Sequence, residues 1–183
     1  MYARELEKSG IKVILKESKG FEDNSQQIED PKNSTQVAFV ISGVGDSPES
    51  RTKSISSLGS IQYAPLWLFY KGDNAPFDDA EWLSNKRIYI GDNGTATKSI
   101  ATQILTLNGL IDKVKTISIP YNQLKEAVDN NAIDVIFLLD QENSEGVQYL
   151  VNRPDWHLSP AMRYKALKKP FPTYTFLKYQ KEV

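Results

Sequence analysis

A short polar loop between a predicted strand and a predicted helix contains the residue types that anion binding requires. The loop runs from Gly91 to Thr97, follows the apolar run Ile88–Ile90, and leads into an amphipathic segment that ends near Leu107. The first turn of a helix leaves backbone N–H groups without partners, and the helix dipole adds partial positive charge there. Such a place binds carboxylates, phosphates or sulfates. The same residues also fit a loop whose threonines only cap the helix, and the sequence leaves both interpretations open.

The loop matches no nucleotide-binding motif, because it has neither a G-K-[ST] ending nor a G-x-G-x-x-G spacing. The sequence has no cysteine, and His157 is its only histidine. This excludes a cysteine nucleophile and a cysteine-based zinc site, and any histidine triad would have to use that one side chain. No nucleophile–base pair stands at a recognisable spacing. We therefore expect no enzyme, no metal site and no cofactor.

The composition is that of an ordinary globular protein. The chain has 183 residues and a net charge of -1, with 40% hydrophobic and 25% charged residues. No basic stripe indicates a nucleic-acid partner, and the longest apolar run, Ala64–Tyr70, is too short to span a bilayer. The length suffices for one large domain or for two small lobes.

The hydrophobic pattern from Arg87 to Leu139 predicts the order β-α-β-α-β. After the loop and its helix come a strand at Thr116–Ile119, a helix at Tyr121–Asn130 and a buried strand at Ala132–Leu139. This order implies a parallel sheet with right-handed crossovers.

The segments on either side are predicted from the same patterns. Helices are expected at Met1–Ser9, Glu22–Ile28, Ser144–Asn152 and Ser159–Lys168, and strands at Ile11–Glu17, Gln36–Ile41, Ile61–Tyr70 and Thr173–Tyr179. A short helix or turn is expected at Asp79–Leu83, and a short extended segment at Trp156–Leu158. The strand at Gln36–Ile41 is continuously apolar and is expected to be buried in a parallel sheet. Two βαβ groups separated by an aromatic strand indicate two α/β lobes with a ligand cleft between them.

Five segments, in this order and spacing, resemble the TAXI solute-binding subunits of TRAP-type transporters, which have the type II periplasmic-binding-protein fold. The segments are QVAFVISGV (Gln36–Val44), LGSIQYAPLWLFYK (Leu58–Lys71), RIYIGDNGTATKSIATQILTLNGL (Arg87–Leu110), AVDNNAIDVIFLL (Ala127–Leu139) and FPTYTF (Phe171–Phe176). The aromatic strand Leu58–Lys71 is the most specific match. This chain departs from the family in the glycine-rich loop, where it has Gly94-Thr95-Ala96-Thr97.

The resemblance implies an α/β, two-lobed fold. Residues 1–64 would form the first lobe with 171–183 as its return strand, residues 65–170 would form the second, and the chain would cross near 61–70 and 171–179. The family's first strand would precede Met1 and its closing segment would follow the return crossing. We therefore expect a first lobe truncated at both ends.

The resemblance also implies which residues would bind the ligand. Gly94, Thr95, Ala96 and Thr97 would offer backbone N–H groups and two hydroxyls to a carboxylate. The other predicted ligand-binding residues are Gly20 and Asn24 in an N-terminal loop, Ser42 and Gly43 in the loop of the opposite lobe, Tyr63 on the crossing strand, and Asp140 with Gln141 after the last strand of the second lobe. Turn formation, helix capping or core packing would equally account for each of these residue types.

By this resemblance the protein would capture a small organic acid or amino acid between its lobes, for membrane transporter subunits. Its ligand would be anionic or zwitterionic, and its place periplasmic or extracytoplasmic. The alternative is a ligand-sensing or regulatory domain of a larger protein that is attached to the membrane by another segment.

Overall fold

A computed structural model describes residues 2–41, 56–61, 64–72 and 80–159 of the chain. The helices are α1 (Tyr2–Lys8), α2 (Phe21–Glu29), α3 (Ala96–Leu107), α4 (Leu124–Asp129) and α5 (Glu145–Val151), and 3₁₀ turns cover Ala80–Leu83 and Tyr121–Gln123. The strands are β1 (Leu66–Lys71), β2 (Arg87–Tyr89), β3 (Lys115–Ile117), β4 (Val135–Leu139) and β5 (Trp156–Leu158). No helix among these residues is both long and apolar enough to cross a bilayer.

The five strands form one mixed sheet in the order β3-β2-β4-β1-β5. Strand β2 is parallel to both β3 and β4, which confirms the β-α-β-α-β order predicted between Arg87 and Leu139. Strand β1 is antiparallel to β4 and β5. It begins directly after Pro65, where the absent N–H of proline costs the sheet no ladder bond. The described residues therefore have an α/β fold, as predicted, and the division into two lobes stays a prediction.

Helices cover both faces of the sheet, and this explains why its central strands are apolar throughout. Successive side chains of a strand point to opposite faces. In β4, Val135 and Phe137 pack with α3 on one face, while Ile136 and Leu138 pack with α4 and α5 on the other. Strand β1 alternates in the same way. The two resulting clusters contain nearly all of the buried hydrophobic side chains and hold the strand ends in fixed positions.

Two of the predicted strands are wrong. The segments Ile11–Glu17 and Gln36–Ile41 form no strand, and no described strand pairs with either of them. Their apolar side chains are exposed, with Leu15 at 81% and Val37 at 65%. A strand is stable only when its backbone groups bond to a neighbour, so alternation or a continuous apolar run does not create one by itself.

The other predicted elements divide into two groups. Helices or 3₁₀ turns are present where Met1–Ser9, Glu22–Ile28, Asp79–Leu83, Tyr121–Asn130 and Ser144–Asn152 were predicted, and Trp156–Leu158 is a strand. The predicted helix that follows Ser159 and the predicted strand Thr173–Tyr179 lie outside the described residues.

An ion pair joins the start of β2 to the residue that precedes β4. Arg87 donates from Nη2 to Asp134 Oδ1 at 2.7 Å and from Nε to Oδ2 at 3.0 Å, and its backbone N–H also reaches Oδ2 at 2.8 Å. The side chain of Asp134 is 28% exposed. These hydrogen bonds from Arg87 hold the pKa of Asp134 below its usual range, although partial burial opposes the shift.

Because the pKa of Asp134 is lowered in the folded protein, the ion pair should make stability depend on pH. The contribution is complete above the unfolded-state pKa of about 3.9 and is lost as the pH falls through the folded-state value. We expect Asp134→Asn to lower the free energy of unfolding by about 1–2 kcal/mol at neutral pH and to have little effect in acid. Urea unfolding across the acid range measures this effect. The control is Asp112→Asn, since Asp112 has no ion pair among the described residues. A cost for Asp134→Asn that does not change with pH would contradict the expectation.

Candidate functional site

The carboxyl ends of the three parallel strands β2, β3 and β4 lie at one edge of the sheet. In open α/β sheets, ligands bind at this edge. Here it carries the loop Gly91–Thr97 after β2, Ser118 after β3 and Asp140 after β4. We call these residues, together with Lys98 and Tyr121, the carboxyl edge.

Thr95 is the N-cap of α3, as one of the two sequence interpretations predicted. Its backbone is extended, with φ -89° and ψ 146°, and its Oγ1 accepts a hydrogen bond from the Lys98 N–H at 3.3 Å. The same hydroxyl donates to the carbonyl of Asp92 at 2.7 Å. The backbone amides of Ala96 and Thr97 have no hydrogen-bond partner among the described residues. These amides carry the positive end of the helix dipole, so an anion at this place would meet two available donors.

Thr97 ties the helix to the central strand. Its side chain is buried, and its Oγ1 accepts a hydrogen bond from the backbone N–H of Leu139 at 3.2 Å. Since Leu139 directly precedes Asp140, this bond places the first turn of α3 beside the end of β4. The hydroxyls of Thr95 and Thr97 thus both serve the fold. A role of these two residues in ligand binding stays a prediction. It rests on the backbone amides of Ala96 and Thr97 and not on the two hydroxyls.

Thr97 also gives a stability test. We expect Thr97→Val to lower the free energy of unfolding by about 1–3 kcal/mol, because the Leu139 N–H loses its acceptor in a buried place. Thr97→Ser keeps the hydroxyl and should cost less than the valine variant. Urea unfolding of the two variants measures the difference. A serine variant that loses as much stability as the valine variant, or more, would contradict the expectation that the hydrogen bond is the larger contribution at this position.

Gly91 allows the loop to fold back against its own helix. Its φ is +87°, and a Cβ there would lie 2.8 Å from Thr95 Oγ1 and 2.9 Å from Thr97 Cβ. A side chain at this position would therefore meet both an unfavourable backbone conformation and a steric clash.

Lys98 and Ser118 belong to the edge but were not singled out from the sequence. Lys98 Nζ donates to Asn93 Oδ1 and, at 3.1 Å, to Ser118 Oγ. Ser118 Oγ donates in turn to the carbonyl of Gly91 at 2.9 Å. The ammonium group is thereby held close to the start of α3. Ser118 could have been found in the sequence, because it follows a parallel strand just as Asp140 does.

Asp140 is held on both its main chain and its side chain. Its N–H donates to Pro65 O at 3.2 Å, and its carbonyl accepts from Trp67 Nε1 at 2.9 Å. Its carboxylate accepts from the Gln141 N–H at 2.8 Å on Oδ1 and from the Tyr121 hydroxyl at 3.2 Å on Oδ2. The edge therefore combines a positive end at α3 and Lys98 with a fixed negative group after β4.

Two tyrosines at this edge keep their protons at neutral pH. Burial raises the pKa of Tyr89 to about 12, and the neighbouring Tyr121 and Asp92 add to the shift. Burial also raises the pKa of Tyr121, and the Asp140 carboxylate contributes in the same direction. Both phenols are thus uncharged, and the Tyr121 hydroxyl forms hydrogen bonds. Among the described residues, no three His, Cys, Asp or Glu side chains are placed to hold a metal ion.

The N-terminal loop that was predicted to bind the ligand contacts the loop before α3. Gly20 has a φ of +129°, and a Cβ there would lie 2.9 Å from the carbonyl oxygen of Gly94. Asn24 donates its own N–H to Gly20 O at 3.0 Å and its side-chain amide to Phe39 O at 2.9 Å. The structure therefore brings Gly20 to the carboxyl edge, while the Asn24 side chain holds the segment around Phe39.

The predicted site residues are thus only partly brought together. Gly20, Gly94, Thr95, Ala96, Thr97 and Asp140 lie at or against the carboxyl edge. Ser42, Gly43 and Tyr63 lie outside the described residues. Their predicted roles remain predictions.

Comparison with known protein families finds no match, and neither does comparison with curated protein sequences. Among solved structures, the chain is similar to the arginine-bound form of a truncated ArgBP from T. maritima, with 16% identity, 52% of this chain and 41% of that chain covered, and a TM-score of 0.36. It is also similar to the amino acid ABC transporter substrate-binding protein AbpA from Streptococcus pneumoniae bound to L-arginine, with 18% identity, 54% and 38% covered, and a TM-score of 0.38. The matched part of this chain spans less than half of either protein. Likenesses this distant do not assign a function.

Proposed function

We propose that the protein is an extracytoplasmic solute-binding protein that holds a small organic acid or amino acid at the carboxyl edge. The observation that carries the proposal is the pair of Ala96 and Thr97 amides at the start of α3, which have no partner among the described residues. A carboxylate placed there would accept both hydrogen bonds and would meet the favourable end of the helix dipole. Lys98 adds a full positive charge close by.

The opposite charge of Asp140 fits the cationic group of an amino acid. The bond between Thr97 Oγ1 and the Leu139 N–H, at 3.2 Å, places Asp140 next to the first turn of α3. An α-amino acid carries its carboxylate and its ammonium group close together, so one molecule could use both ends of the edge. A ligand of this kind agrees with the anionic or zwitterionic class that the resemblance to the TAXI subunits implies.

The remaining parts of the proposal come from the resemblance of the sequence to the TAXI subunits. We propose that the first lobe, built from residues 1–64 and 171–183, would close over the ligand by a hinge motion. The ligand would then be passed to the membrane subunits of a TRAP-type transporter. The contact between Gly20 and Gly94, where a Cβ on Gly20 would come within 2.9 Å, supports the approach of the N-terminal part to the edge.

The proposal is tested by calorimetric titration with six compounds: L-glutamate, L-aspartate, L-glutamine, L-asparagine, glutarate and succinate. We expect saturable binding of at least one compound at a single site. The variant Asp112→Asn, which lies beyond the C-terminal end of α3 and is not part of the carboxyl edge, should leave the affinity unchanged. Absence of binding for all six compounds would contradict the proposed ligand class.

A further inference from the structure

We propose that Tyr121 is a positioning residue of the carboxyl edge, which fixes the Asp140 carboxylate so that it can accept the ammonium group of an amino-acid ligand. This inference rests on the proposed function and adds to it a residue that the sequence did not single out. Tyr121 opens the 3₁₀ turn Tyr121–Gln123 between β3 and α4. Its hydroxyl lies between two elements that the chain reaches only later, β4 and α5.

The Tyr121 hydroxyl both accepts and donates hydrogen bonds, and Ser144 is a further side-chain partner. It accepts from the backbone N–H of Gly146, in the first turn of α5, at 2.9 Å, and it donates to Asp140 Oδ2 at 3.2 Å. Since Asp140 Oδ1 already accepts from the Gln141 N–H at 2.8 Å, both carboxylate oxygens are held by a donor. Each oxygen keeps further acceptor capacity, because an ionised carboxylate offers about four lone-pair sites. The carboxylate is thus held in one orientation and can still accept hydrogen bonds from a ligand.

Gly146 provides the space that this arrangement needs. A Cβ on Gly146 would lie 2.5 Å from the Tyr121 hydroxyl oxygen and 3.1 Å from its ring Cζ. The glycine is therefore explained by the approach of the phenol. The helix does not need that phenol as its only cap, because the Ser144 hydroxyl accepts the Val147 N–H at 3.4 Å.

A preoriented carboxylate matters for binding more than for folding. A side chain that is already immobilised loses less conformational freedom when the ligand arrives. Loss of the Tyr121 hydroxyl should therefore weaken ligands that carry an ammonium group and leave matched ligands without one nearly unaffected. L-glutamate and glutarate form such a pair, since they differ only by the amine.

The experiment measures the affinity of Tyr121→Phe for L-glutamate and for glutarate by calorimetry on the full chain. We expect about 10-fold weaker binding of L-glutamate, as for a lost hydrogen bond to a charged group, and less than about 2-fold for glutarate. Gly146→Ala leaves Tyr121 in the sequence but pushes its ring away from Asp140, and it should give the same selective loss. In the background of Asp140→Asn, Tyr121→Phe should add nothing further, because the two residues act through one carboxylate.

Each outcome decides the inference. Equal weakening of both ligands would make Tyr121 a structural residue only and would overturn the inference, as would unchanged selectivity in both variants. If Tyr121→Phe fails to fold in a thermal melt, Gly146→Ala provides the same comparison. A wild-type protein that binds glutarate but not L-glutamate contradicts the role of Asp140 alone, and one that binds neither of the two overturns this inference. Absence of binding for all six compounds contradicts the proposed function itself.

Discussion

Gly91→Ala is expected to lower the free energy of unfolding by about 2–5 kcal/mol, from backbone strain together with steric overlap. The φ of Gly91 is +87°, and a methyl group there would come within 2.9 Å of both Thr95 Oγ1 and Thr97 Cβ. Neither neighbour can move freely, because Thr95 caps α3 and Thr97 is bonded to β4. Chemical denaturation monitored by circular dichroism measures the loss.

Gly109→Ala is the matched control for this prediction. Gly109 also has a positive φ, +64°, but no atom lies within 4 Å of the position that its Cβ would take. Its substitution should cost only the conformational strain, roughly 1–2 kcal/mol. If the two variants were equally destabilised, the close packing of the loop against α3 would not contribute to stability, and the described geometry of the loop would be wrong.

Ala96→Pro is expected to weaken the binding of carboxylate ligands about 10- to 100-fold, the effect of losing one hydrogen bond to a charged group. The substitution removes one of the two amides that have no partner among the described residues. Proline fits the first position of a helix, where its missing N–H leaves no intrahelical bond unmade. The preceding residue, Thr95, already has the extended backbone that a following proline requires, with φ -89° and ψ 146°.

Ala96→Val is the control for the proline variant, because it adds similar bulk and keeps the N–H. Ala96 is 4% exposed, so both variants should lose some stability. Thermal melts would show whether the two losses of stability are similar. We expect only the proline variant to lose most of its affinity. A valine variant that binds as weakly as the proline variant would show that the Ala96 amide does not bind the ligand. A proline variant that binds like the wild type would show the same.

The sheet from Arg87 to Leu139 was predictable because its signals are local. Each strand is a short apolar run, each helix has a 3.6-residue pattern, and Thr95 and Ser144 stand at positions where N-caps are common. The central strands need no distant information to be recognised, since burial on both faces makes them apolar throughout.

The first 41 residues show where local signals fail. Ile11–Glu17 and Gln36–Ile41 have strand-like sequences, but a strand also needs a neighbour in register, and sequence pattern does not provide one. The same limit applies to the site. The loop and Asp140 were found because they follow strands, whereas Tyr121 reaches Asp140 and Gly146 only through the fold. Lys98 was missed for the same reason, because its contact with Ser118 crosses from α3 to the end of β3.

The most direct test of the binding proposal is an amide NMR titration of the full chain with the compound that binds best in calorimetry. If the ligand carboxylate sits at the start of α3, the backbone amides of Ala96 and Thr97 should show the largest shifts, and all affected amides should follow one saturation curve. The Tyr121 and Gly146 region should respond to L-glutamate more than to glutarate. Saturable binding that leaves the Ala96 and Thr97 amides unchanged would contradict the proposal that the carboxyl edge holds the ligand.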